Sequence, residues 1–174
     1  MGVIEFGFGL NASLALGYAS RDAALIATEA GNTTGADCMV LRSIEEHVGA
    51  PANPAQITSV EIYWSDQNGA LKNGARNVYS RTGSMTCSYG GSTTITVPYT
   101  ATSIAYADST RCNVLAGCGG SHTPSVDTIG VKITYNYTFK TPLRGLIGLL
   151  GGPGWTATGW SLSSSNAMRM EPVL

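Results

Sequence analysis

Met1-Gly-Val-Ile-Glu5-Phe-Gly-Phe-Gly-Leu10 opens the chain, and an alanine-rich run carries on to Gly31-Asn32. Val3, Phe6, Leu10, Leu14, Tyr18 and Leu25 recur at intervals of three, four or seven. That spacing marks one face of a helix. Gly31-Asn32 is a stop signal, because both residues tolerate the left-handed conformation just past a last helical turn. Glu5 is alone in the apolar opening, with no further charge before Arg21 and Asp22. A carboxylate in such a stretch is costly to bury unpaired. The partner expected is the N-terminus of another chain, so the stretch reads as an assembly helix over residues 1–31. Its first half is expected to protrude, and the half from Arg21 onward to cover a sheet.

Working outward, a second helix is expected over residues 36–48. Leu41, Ile44 and Val48 share one face, and Arg42, Glu45 and Glu46 point away. Gly49-Ala-Pro51 ends it. His47 falls in its last turn, where a partial positive charge suits the helix dipole. After Pro54 the period changes to two. Val60, Ile62 and Trp64 alternate with Ser59, Glu61 and Tyr63, the pattern of a half-buried strand.

The clearest strand lies further on. Ile129, Val131, Ile133, Tyr135, Tyr137 and Phe139 alternate with Gly130, Lys132, Thr134, Asn136 and Thr138. A last strand is expected from Trp155 to about Met170, joined to its predecessor by an apolar glycine-rich loop as an antiparallel hairpin. Two helices, one strand and then a hairpin define an α+β head over residues 32–174. Residues 66–125 read as a Gly/Ser/Thr/Tyr-rich surface insertion with strands near 77–85 and 93–99. Pro98 puts the latter at an edge or at its end.

The chain has 174 residues, enough for one domain with a real core. Charged residues make up 12% and the net charge is -1, which argues against nucleic-acid partners. A surface poor in charge suits secreted β-rich proteins and packed filament subunits better than a free cytoplasmic enzyme. Cys38, Cys87, Cys112 and Cys118 form an even set with no CxxC, which fits two disulfides and an oxidising compartment. Three pairings exist. The short Asn-Val-Leu-Ala-Gly loop favours Cys112 with Cys118, leaving Cys38 for Cys87. A zinc set of Cys112, Cys118 and His122 matches no common spacing.

Other motifs carry little. Gly148-Leu-Leu-Gly-Gly-Pro-Gly154 lacks the Gly-Lys-Ser/Thr of a phosphate loop. It reads instead as an apolar loop, with Leu146, Ile147, Leu149 and Leu150, for a neighbouring subunit or a membrane surface. No Gly-x-Ser-x-Gly elbow occurs, and His122 has no base pattern beside it. No catalytic residue, cofactor or metal is expected. Asn11, Asn32 and Asn136 open glycan-acceptor triplets, a pattern common by chance. No basic n-region or cleavage motif marks a signal peptide. The uncharged stretch from Phe6 to Ser20 is shorter than the roughly 20 residues of a spanning helix.

Ile4-Glu5-Phe6-Gly7, Ala19-Ser-Arg21-Asp-Ala23-Ala24, the alternating strand running into Pro142, and Ala167-Met168-Arg169-Met170-Glu171 together resemble TadE-like proteins. These are pilin-like subunits of the tight-adherence branch of type IV pilus systems. The resemblance covers residues 1–65 and 126–174. It implies a pilin-like fold and a structural subunit of an extracellular filament, not an enzyme. Glu5 stands where processed type IV pilins carry their glutamate. Such proteins usually have a longer apolar segment, with its own Glu-Phe, ahead of this element. Two expectations follow: a mature subunit starting at Met1, or a chain lacking an upstream anchor.

Assembly is then expected through Glu5, Phe6, Leu10 and Leu14. The partners implied are copies of the chain and other pilus or secretion-system subunits. The first helix would contact the membrane, which serves as the assembly site. One alternative is a minor membrane-anchored assembly component. Another is a surface adhesion module using Tyr79, Tyr89, Tyr99 and Tyr106 as its adhesive face.

Overall fold

The computed structural model describes residues 2–113, 117–118, 126–141 and 159–170. The first helix, α1, spans Gly2–Ala30, and the second, α2, spans Ala36–His47. Gly31 ends α1 with φ at 57°, and its amide bonds back to the Ala27 carbonyl. A side chain at that left-handed position would be strained.

Strands β1 (Ile57–Ser65), β2 (Leu71–Ser80), β3 (Met85–Tyr89), β4 (Thr93–Val97) and β5 (Thr100–Ile104) follow. Then come β6 (Cys112–Asn113), β7 (Gly117–Cys118), β8 (Thr128–Tyr137) and β9 (Trp160–Arg169). The main sheet has the order β5-β2-β1-β8-β9 and is antiparallel throughout. Strands β8 and β9 form the expected hairpin, in register from Thr128 opposite Arg169 to Tyr137 opposite Trp160. The fold is α+β, two helices on an antiparallel sheet. The expected start of the last strand at Trp155 lies outside the described residues.

The core explains the arrangement. Ile129, Val131, Ile133, Tyr135 and Tyr137 of β8 are all buried, as the period of two requires. Facing them, α1 buries Ala12, Leu16, Ala19, Ala23 and Ala27. The sheet supplies the bulk and the helix supplies small side chains, so the two backbones lie close. At Gly9 the helix runs close over a sheet side chain, because a Cβ there would collide with the Trp160 ring. Ser20 adds a polar link, with its hydroxyl 2.9 Å from Ser164 Oγ and accepting from Asn166 Nδ2 at 2.6 Å.

Two expectations are corrected. The first half of α1 does not protrude, since Glu5, Ala12 and Leu16 are buried along with the second half. The alanines and Gly9 let the whole helix lie down on the sheet. Residues 66–125 are also not wholly a surface excursion, because β2 and β5 complete the main sheet. The β3–β4 ladder is the separate part, packed beside α2 with Ile95 and Val97 buried. The Cys38–Cys87 disulfide ties it to α2, with Cα atoms 6.5 Å apart.

Candidate assembly face on the first helix

The outward side of α1 carries its largest apolar side chains. Val3, Phe6, Leu10, Leu14, Tyr18 and Leu25 are each between 45% and 86% exposed, and Ile4 and Phe8 are exposed beside them. A helix on a monomer normally turns its bulky apolar stripe inward. Here, Leu16 apart, small residues go in and the large apolar ones stay out. Contiguous apolar surface of this kind marks interaction sites. From Phe6 to Ser20 no charge interrupts it.

Glu5 is on the opposite side and is 3% exposed. Its Oε1 accepts from the Tyr137 hydroxyl at 2.6 Å and the Lys140 amide at 2.9 Å. Its Oε2 accepts from the Thr141 amide at 2.9 Å. Burial alone would push the Glu5 carboxyl up, but the bonds from Thr141, Tyr137 and Lys140 outweigh it and hold it at about 2. Its place in the first turn of α1 also favours the negative charge. The sequence led to the expectation of another chain's N-terminus as the partner of Glu5; within its own chain the carboxylate is met by these three hydrogen bonds. The assembly set divides, with Phe6, Leu10 and Leu14 exposed on the outer face and Glu5 fastening the inner one.

The adhesive tyrosine face is corrected too. Tyr79, Tyr99 and Tyr106 are buried, and Tyr89 is half-buried. Their hydroxyls serve the interior. Tyr79 donates to Asp37 Oδ2 at 2.6 Å, Tyr99 to Glu45 Oε1 at 2.7 Å and Tyr106 to Asp127 Oδ2 at 2.9 Å. Asp37 also accepts from Asn77 Nδ2 at 2.7 Å and pairs with Arg111, which is fully buried. Asp108 Oδ1 meets the same guanidinium at 3.2 Å. Sequence reasoning missed this cluster. Nothing in the spacing of Asp37, Asn77 and Arg111 shows that three distant segments converge.

Cys112 is disulfide-bonded and stands opposite Cys118 in the β6–β7 ladder. His122 and the apolar loop at 146–150 lie outside the described residues. His47 sits in the last turn of α2, with Nδ1 2.9 Å from the Ser43 carbonyl and 3.1 Å from Asp22 Oδ2. Ser43 Oγ donates to Asp22 at 2.9 Å. Serine and aspartate thus meet the same ring nitrogen, whereas a nucleophile relay places them on opposite nitrogens. This trio fastens α2 to α1. Among the described residues no group of His, Cys, Asp and Glu is placed to hold a metal ion. No helix among them is long and apolar enough to cross a membrane. No family model, curated protein or solved structure matches the chain.

Proposed function

We propose that the chain is a structural subunit of an extracellular pilus-like filament of the TadE-like kind, assembled through α1. The observation that carries this reading is the exposed, uncharged stripe of Val3, Phe6, Leu10, Leu14 and Tyr18. Burying it between copies gains about 25 cal/mol for each Å² of apolar surface removed from water. Copies meet no charge repulsion along this face. The Cys38–Cys87 disulfide supports an oxidising, extracellular setting.

Glu5 takes a different part from the one the family resemblance implies. It holds the start of α1 against the end of β8, and so presents the outer stripe at a fixed angle. The mechanism is packing, with the helix faces inside the filament and the β-rich head outside. Electron microscopy and sedimentation of the purified chain test this. Filaments or concentration-dependent oligomers are expected. A monodisperse monomer at high concentration would overturn the reading and favour a binding module.

A further inference from the structure

A cleft of about 690 Å³ lies at one end of the main sheet, where the turn after β1 meets the start of β8 and the end of β9. A smaller hollow of about 370 Å³ adjoins it, with Asp66, Gln67, Thr128 and Ala167 lining both. Both fall within the range of small-ligand sites, roughly 300–1,000 Å³. Ser65, Thr128 and Arg169 stand side by side on three neighbouring strands, as successive register partners. Lys72 lines the same cleft, with its ammonium 4.0 Å from the centre of the Trp64 ring.

The charge pattern sets this place apart. Of the other described basic side chains, five are paired with acids: Arg42 with Glu46, Arg76 and Lys132 with Glu61, Arg81 with Glu45, and Arg111 with Asp37. Among the described residues, Lys72 and Arg169 line one cleft with no acidic partner. Among the described lining residues the only carboxylate is Asp66, whose Oδ1 accepts from the Asn68 and Ala70 amides at 2.8 and 2.9 Å. Those bonds fix the turn as a rigid wall. Tyr63 pins it from the other side by donating to the Gly69 carbonyl at 3.0 Å.

We propose that this cleft binds the carboxylate of an acidic saccharide. Arg169 supplies a planar fork that matches a carboxylate, and Lys72, steered by Trp64, supplies a second cation. Gln67, Thr128 and Asn68 supply the amide and hydroxyl groups that sugar hydroxyls bond to. An acidic peptide fits less well. Its carboxylates would meet the same two cations, but it has no hydroxyls to match the amide- and hydroxyl-rich lining of Gln67, Asn68 and Thr128. The site goes beyond the filament reading and does not rest on it, since it lies on different residues from the α1 stripe.

Calorimetric titration of the full chain with trigalacturonate, beside maltotriose, acetate and a glutamate-rich peptide, tests the proposal. Trigalacturonate is expected to bind, more weakly as salt rises, while maltotriose and acetate give no comparable heat. The double substitution Lys72→Gln/Arg169→Gln should weaken binding about tenfold or more, a loss worth about 1.4 kcal/mol. Arg42→Gln, remote from the cleft, should change nothing. Circular dichroism confirms that each variant folds, and single substitutions replace the double one if it does not. No binding at about 10 mM, a dissociation constant near the weak end of measurable affinities, would overturn the site. So would unchanged affinity in the folded variants. Equal binding of the peptide or acetate would overturn the saccharide class. Sedimentation reads assembly separately, so failure here leaves the filament question untouched.

Discussion

The hydroxyl of Tyr137, the last residue of β8, donates to Glu5 Oε1 at 2.6 Å across 132 residues of sequence. This bond joins the first turn of α1 to the end of β8. It makes Glu5 a structural lock. Glu5→Ala would leave the Tyr137 hydroxyl and the Lys140 and Thr141 amides without their acceptor. Leaving such groups unsatisfied costs about 1–3 kcal/mol, and denaturant unfolding should show a loss of that order. Unchanged stability would show that the lock is idle.

The same carboxylate sets an acid response. Its folded-state value, about 2, lies below the ordinary 4.5. Its contribution is therefore fully present above about pH 4.5 and is lost as pH falls toward 2. Glu5→Gln cannot titrate, so its stability should fall less steeply across that window. Parallel acid profiles for the two proteins would remove Glu5 from the explanation of acid sensitivity.

Much of this fold is legible in the sequence. The period of two through Ile129–Tyr137 places five buried residues, and Gly31-Asn32 ends α1 where expected. The face of α1 is harder to read. Val3, Phe6, Leu10 and Leu14 repeat on one side, as a core-facing stripe would, while alanines fill the other. Periodicity identifies a helix face but not which face is inside. Gly9 beneath Trp160 decides that, and only the β8–β9 register brings the two together. The role of Tyr137 is hidden for the same reason. A tyrosine on a buried face looks like core until a carboxylate arrives at its hydroxyl.

Removing residues 1–17 follows from this geometry as a destabilising change. The cut strips Glu5 from Tyr137 and Gly9 from Trp160, and takes the buried Ala12 and Leu16 out of the core. A broad, low-temperature melt by circular dichroism is expected. A sharp melt at the full-length temperature would mean that the first half of α1 does not support the head.

The interior charge cluster should be the most sensitive point of the head. Asp37→Ala leaves Arg111 buried without its main counter-charge, and such losses run at about 3–5 kcal/mol. Asp108→Ala should cost less, because Asp108 is partly exposed and Asp37 remains. Equal effects in denaturant titrations would refute that ranking.

The disulfide between Cys38 and Cys87 closes a span of 49 residues. Its replacement by two serines should cost about 2–4 kcal/mol. Hydrogen exchange should rise first in β3 and β4, which the bond ties to α2. Uniform exchange across the whole sheet would show that the hairpin is not a separate unit.

Sedimentation velocity across a concentration series, on the full chain and on Phe6→Ser/Leu10→Ser/Leu14→Ser, tests the filament assignment most directly. These three side chains are exposed, so the substitutions should leave the melting temperature nearly unchanged. The full chain should form larger species as concentration rises, and the triple variant should stay monomeric. A full chain that remains a monomer, or a folded triple variant that assembles as well as its parent, would contradict assembly through α1.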